Sequence, residues 1–302
     1  MRNIRISYSV SSVPQSYADE LQTAFSALGH HVEWVENVKF RNPLRVLAYQ
    51  YPRSRDYVFS PYSALESEID TAPREIDVMF GGRLSDPYKM KDTWHALSGR
   101  IYKLCLMVAE ILEHSQRTFD EALDEALLEI GCLSELPDHA FVYLVNQINM
   151  FTASLHGYNM LKVLLNAGIK VVYCNARSYC SLYRNPNLMI EKTQRIPKIL
   201  LYAHPFLAYG ASQTLLTAMG GGTVCVTDAN GFMNDHFPEM ILYGKGDLAE
   251  RVTQLLEHPA DLAELGCAAR EKVLCKHMPR HRAERILLAL ELSGHTEVSL
   301  YE

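Results

Sequence analysis

The chain lacks several things that would narrow its function at once. No stretch reaches the roughly 18 consecutive apolar residues that a membrane-spanning helix needs. The opening residues, MRNIRIS, hold no apolar core of the kind that directs export. A cytoplasmic protein without a membrane span is therefore expected. Cysteine is present at 105, 132, 174, 180, 225, 267 and 275, an odd number with no C-x-x-C pair. That pattern fits reduced thiols better than a disulfide framework, and Cys105, Cys174 and Cys225 lie within apolar runs like small core residues. The 12 histidines show no ligand spacing, so no metal is expected. Positive charge is not in excess: the net charge of −6 argues against a protein that coats nucleic acid, although a local basic groove is left open. No G-x-G-x-x-G follows the first β-rich run, Ile4 to Val10; residues 11–14 read SSVP instead. This disfavours a dinucleotide-binding or epimerase-like enzyme.

What is present describes an α/β protein. With 302 residues and 48% hydrophobic content, the chain can form one large or two modest domains. Ile4 to Val10, a helix over Ser16 to Leu28 and a strand from His31 to Val35 make a β-α-β opening, with Leu21, Phe25 and Leu28 on one helix face. Residues 41–75 are rich in Pro, Arg, Tyr and Ser and read as a surface connection, with Arg53, Arg55 and Tyr57 as candidate contacts for an acceptor or a partner. Ile76 to Phe80 is a short apolar strand that ends in Gly81-Gly82-Arg83. Helical patterning then dominates from Lys89 to Leu165: Tyr102 to Leu112, Thr118 to Ile130 with Thr118 as cap, Asp138 to about Phe151, and a stretch from Tyr158 to Ala167 that Gly168 breaks. Strands follow at Ile169 to Tyr173 and Ile199 to Tyr202, and closing helices at Asp247–Glu257, Pro259–Lys276 and Arg280–Leu292. Such alternation predicts a mainly parallel sheet, whose ligands sit at the carboxyl ends of the strands.

Residues 209–228 carry the most chemistry: a loop, a short helix capped by Ser212 or Thr214, a glycine turn at Gly220 to Gly222, and a strand ending at Asp228. A loop that turns into a helix N-terminus presents free N–H groups and positive potential, which suits a diphosphate. Gly81 and Gly82 are a second place where backbone could approach a ligand closely.

Three pieces carry a family resemblance. Ile76 to Gly82 (IDVMFGG), Leu215 to Asp228 (LLTAMGGGTVCVTD) and His277 to Ile286 (HMPRHRAERI) occur in the order seen in the C-terminal nucleotide-sugar domain of GT-B glycosyltransferases. Gly157 to Asn175 also fits the segment that precedes the donor loop in that domain. The chain most resembles the spore-maturation-protein branch with a glycosyl transferases group 1 C-terminus, over about residues 76–290. The resemblance implies a GT-B-like fold of Rossmann-type parallel sheets, with residues 1–75 as a reduced N-terminal, acceptor-side half. Residues 76–302 would form the nucleotide-sugar domain, with a helical insertion at about 99–150. Two departures stand out. Retaining members often place glutamates where this chain has Tyr209 and Thr217, and the N-terminal half is short. Another subunit, identical or different, is one way to complete the cleft.

The resemblance thus implies transfer of a sugar from a nucleotide-diphosphate donor, with no separate cofactor, to an unidentified acceptor: a glycan, a protein or, less favoured, nucleic acid. Gly81, Gly82, Arg177, Gly210, Ser212, Gln213, Thr214 and Thr217 are the donor-site candidates. Arg83 and His204 are the catalytic ones: Arg83, with Arg177, as a cation for the leaving diphosphate, and His204 for donor bonding or proton transfer. An inverting enzyme needs a base, and Asp19, Glu20, His30 and Asp56 are the early candidates without one standing out. The alternative is a catalytically silent glycosyltransferase-like subunit that supports a partner enzyme.

Overall fold

Strict alternation along Ile76–Phe80 buries Ile76, Val78 and Phe80 and leaves Asp77 outside, where it pairs with Lys198 at 2.6 Å. Both partners are well exposed, so the strand is held by its apolar side and not by that pair. The computed structural model describes residues 3–8, 15–36, 63–70, 72–82, 84–97, 99–114, 119–130, 138–174, 180–191, 193, 195–203, 211–229, 231–241, 247–293 and 297–300. These residues pack as two units. The first comprises 1–70, 209–221 and 270–302, and the second 71–208 and 222–269. The division is discontinuous, whereas the sequence suggests one boundary near residue 75. The reason lies in the packing of the first unit, which draws on the beginning, a central segment and the end of the chain.

In the first unit, β1 (Asn3–Tyr8) pairs in parallel with β2 (His31–Glu36) on one side and with β8 (Glu297–Leu300) on the other. Helix α1 (Gln15–Ala27) links β1 and β2. Its face of Tyr17, Leu21, Ala24 and Phe25 packs with Leu65 and with Ala283, Ile286 and Leu290 of α10 (Pro279–Ser293). Each large apolar side chain buried there stabilises the unit by about 1.5–3 kcal/mol. Gly29, at φ 79°, ends the turn after α1 in the left-handed conformation that glycine tolerates. The short helix α6 (Gln213–Gly220) also belongs to this unit.

The second unit is built on a five-stranded, all-parallel sheet in the order β5-β4-β3-β6-β7. Its strands are β3 (Ile76–Phe80), β4 (Val171–Tyr173), β5 (Leu188–Ile190), β6 (Pro197–Tyr202) and β7 (Val224–Thr227). β4 and β7 are buried throughout, as expected where helices cover both faces of a parallel sheet. Between β3 and β4 lie α2 (Pro87–Thr93), α3 (Gly99–His114), α4 (Phe119–Ile130) and α5 (Asp138–Asn166). After β7 come α7 (Gly231–His236), α8 (Leu248–Glu257) and α9 (Pro259–Lys276). Asp86 caps α2 ahead of Pro87, and Asp247 caps α8 by accepting from Ala249 N and Glu250 N at 2.9 and 3.1 Å.

Several elements differ from the sequence reading. The helix expected to stop near Phe151 and the helical stretch expected over Tyr158 to Ala167 are one continuous helix, α5, because Phe151, Leu155, Tyr158, Met160, Leu161 and Leu164 are all buried along it. Strands β5 and β8, short and without a long apolar run, were not foreseen. They form because a parallel neighbour is in register beside them.

Candidate functional site

The chain passes from β3 outward to β4 and β5, then returns to the other side of β3 for β6 and β7. This reversal makes a topological switch point between β3 and β6. In open α/β sheets the crevice outside the carboxyl ends at such a point is where ligands bind. Gly81 and Gly82 follow β3 there, and Ala203 follows β6.

Both glycines stand in close packing. A Cβ on Gly81 would lie 2.8 Å from Leu200 Cδ1, and one on Gly82 would lie 3.0 Å from Phe80 Cζ. Both vacant positions therefore face the sheet's own side chains. The same Phe80 ring meets a third glycine: a Cβ on Gly157 of α5 would sit 2.8 Å from Phe80 Cζ and 3.6 Å from Ala203 Cβ. A glycine inside a helix costs about 1 kcal/mol relative to alanine. Here it lets α5 cross directly over the ends of β3 and β6.

The residue before that glycine is His156. Its Nδ1 lies 2.7 Å from Oδ2 of Asp228, the residue after β7, and the side chains are 18% and 10% exposed. The Thr227 hydroxyl, fully buried, donates toward Asp228 Oδ1 at 3.2 Å and its carbonyl at 3.1 Å. A carboxylate so placed accepts from Nδ1–H and fixes the imidazole's tautomer and orientation. The sequence reading had Asp228 at a strand tip but not His156, which looked like one more histidine inside a helical pattern. The two are 72 residues apart, and no local signal joins them.

The loop after Gly82 is tied down. Asp86 Oδ1 accepts from Tyr88 N at 3.1 Å, while its Oδ2 accepts from Ser181 Oγ at 3.2 Å. Tyr158 Oη lies 3.1 Å from the same serine oxygen, and Leu84 N donates to Tyr173 Oη at 3.2 Å. These bonds join the segment after β3 to α5, β4 and the 3-10 turn at Ser181–Arg184.

In the first unit, Ser212 caps α6, its Oγ accepting from Leu215 N at 3.1 Å. The helix starts where the sequence placed it, and its first-turn N–H groups at Gln213 and Thr214 have no i−4 carbonyl. Thr214 is exposed and Gln213 and Ser212 are half-buried. Thr217 is different. It is 8% exposed, and its Oγ1 accepts from Leu65 N at 2.9 Å, which pins residues 63–66 to α6. Thr217→Val is expected to cost about 1–3 kcal/mol in urea unfolding, because it leaves a buried backbone N–H without an acceptor. An unchanged midpoint would remove this role.

Arg83, Arg177, His204 and Gly210 lie outside the described residues, as do Tyr209, Arg53, Arg55, Asp56, Tyr57 and Thr118. Of the early acidic candidates, Glu20 Oε2 accepts from Glu66 N at 2.7 Å and Asp19 Oδ1 from Gln15 Nε2 at 2.8 Å. Both carboxylates thus serve local structure. Burial pushes the Cys105 thiol up to about 12 and the Cys225 thiol higher still. Cys180 is raised as well, by burial against the opposing bond from the Leu182 backbone. Protonated at neutral pH, these thiols are core residues, not nucleophiles. Among the described residues, no group of His, Cys, Asp and Glu is placed to hold a metal ion, and no helix is long and apolar enough to cross a membrane.

No curated protein matches the chain. Residues 170–288, from the residue before β4 into α10, match the family described as glycosyl transferase-like, which supports glycosyl transfer as the general activity.

Proposed function

We propose that the protein transfers a sugar from a nucleotide-diphosphate donor to an acceptor hydroxyl, on a GT-B-like scaffold of two parallel-sheet units. The observation that carries this reading is the glycosyl transferase-like match over 170–288. It is supported by the second unit's sheet, whose β3/β6 switch point gathers Gly81, Gly82, Ala203 and the His156–Asp228 pair at the strand ends. The main-chain N–H of Gly82 is the one suited to the donor's oxygens, since that of Gly81 donates to the Leu201 carbonyl at 2.9 Å. In the first unit, Gly210, Ser212, Gln213 and Thr214 lead into the α6 N-terminus, the anion candidate there. Arg83 and Arg177 are the cations assigned to the leaving diphosphate, whose developing charge needs stabilising, and His204 is kept as a donor contact.

Isothermal titration calorimetry with UDP-glucose, UDP-N-acetylglucosamine and GDP-mannose tests the reading. Saturable binding of at least one, with slow release of the nucleoside diphosphate when water is the acceptor, is the expected result. Absence of binding to all three at millimolar concentration would overturn it. A second reading, a silent glycosyltransferase-like subunit, is favoured by Thr217, whose hydroxyl oxygen is engaged with Leu65 N at the position where retaining relatives often hold a glutamate. Binding with no turnover, alone or with added acceptor, selects that reading.

A further inference from the structure

We infer that His156 is the general base of the transfer and that Asp228 positions it. The inference rests on the glycosyl-transfer reading above and deepens it, by naming the group that accepts the acceptor's proton. Four observations, all within the second unit, lead there. The pair stands at the carboxyl end of the parallel sheet, one partner directly after β7 and the other on the turn of α5 that crosses β3 and β6. Its geometry is ordered from inside to outside: buried Thr227 holds the Asp228 carboxylate, the carboxylate holds Nδ1, and the imidazole is the more exposed member at 18% against 10%. With Nδ1 committed as donor to Asp228, Nε2 is the nitrogen that takes up a proton. Finally, a Cβ on Gly157 would stand 2.8 Å from Phe80 Cζ, so the fold accepts an interior helix glycine where α5 carries His156 closely past the ends of β3 and β6.

The step balances without a further reactant. As the acceptor oxygen bonds to the anomeric carbon, its proton passes to His156 Nε2. The bond from that carbon to the β-phosphate oxygen breaks, and the nucleoside diphosphate leaves with the electron pair. The imidazolium formed is stabilised by the Asp228 carboxylate, which stays ionised. Attack and departure on opposite sides of the carbon make the enzyme inverting.

The contrasting account is a structural pair that merely ties α5 to β7. Full-length His156→Gln, His156→Ala and Asp228→Asn separate the two. Each is checked by circular dichroism and assayed for binding and hydrolysis of whichever of UDP-glucose, UDP-N-acetylglucosamine and GDP-mannose the wild type uses. A base predicts hydrolysis at saturating donor lowered about 100-fold or more in the histidine variants, with donor affinity little changed. It also predicts partial recovery of His156→Ala by added imidazole, which a structural tie would not give. Asp228→Asn should lower the rate while leaving KM near wild type, since it removes the orienting charge and keeps the volume. Wild-type turnover in a folded histidine variant overturns the assignment and leaves glycosyl transfer standing. So does an effect confined to donor affinity. Wild type that binds none of the three donors overturns the functional reading itself, and the base with it. If the histidine variants fail to fold, Asp228→Asn with a wild-type rate is enough to overturn the proposal.

Discussion

Gly266→Ala should weaken the second unit by about 2 kcal/mol net, even though alanine is the better helix former by about 1 kcal/mol. Gly266 lies in α9, and a Cβ there would stand 2.4 Å from the carbonyl oxygen of Gly222 and 3.3 Å from its carbonyl carbon. The obstacle is main chain, so no side-chain rotation relieves it. The helix must move off the turn that leads into β7, or the turn must distort. That turn has little freedom: Gly222 sits at φ 89°, a conformation that L side chains rarely adopt. A side chain at Gly222 would therefore act first through backbone strain, and the Cβ would lie 3.5 Å from Arg74 Nη2. Urea unfolding of Gly266→Ala against Gly99→Ala, whose Cβ meets nothing within 4 Å, checks the expectation. Equal midpoints for the two variants would contradict the close approach.

Phe80→Ala is the second large effect, an expected loss of about 3–5 kcal/mol. Phe80 is 1% exposed, and its ring lies 5.7 Å from that of Tyr173. Gly82 and Gly157 both close upon it, so truncation leaves a cavity bounded by backbone that cannot readily collapse. The consequence extends to chemistry. α5 rests on this ring one residue from His156, and a helix freed to shift there no longer holds the imidazole against Asp228. Thermal or urea denaturation measures the stability term. A loss below about 1 kcal/mol would mean the site relaxes around the missing ring, contrary to the packing seen.

Local chemistry made much of the architecture readable. Ile76 to Phe80 alternates, and β4, β7 and residues 199–202 of β6 are buried, largely apolar runs. Ser212, Asp247 and the glycines after α6 mark helix limits by their own bonding preferences. Since parallel sheets present ligands at their carboxyl ends, Gly81, Gly82 and Asp228 could be nominated as site residues from strand tips alone. Other assignments turned on distance. β8 exists because Glu297–Leu300 meets Arg5–Tyr8 at the far end of the chain. Thr217 was a donor-site candidate in the sequence, but the fold brings Leu65 N to it. The same holds for glycine: its spacing shows that a side chain is absent, while only the packed neighbours show which atoms occupy the vacated space.

The amino-acid order, then, determined the element types and their alternation, because backbone propensity, capping and apolar periodicity act over a few residues. Tertiary structure alone decided which polar groups meet. Joining His156 to Asp228 depends on strand order and on how closely α5 can approach the sheet, and those are settled by packing between segments remote in the chain.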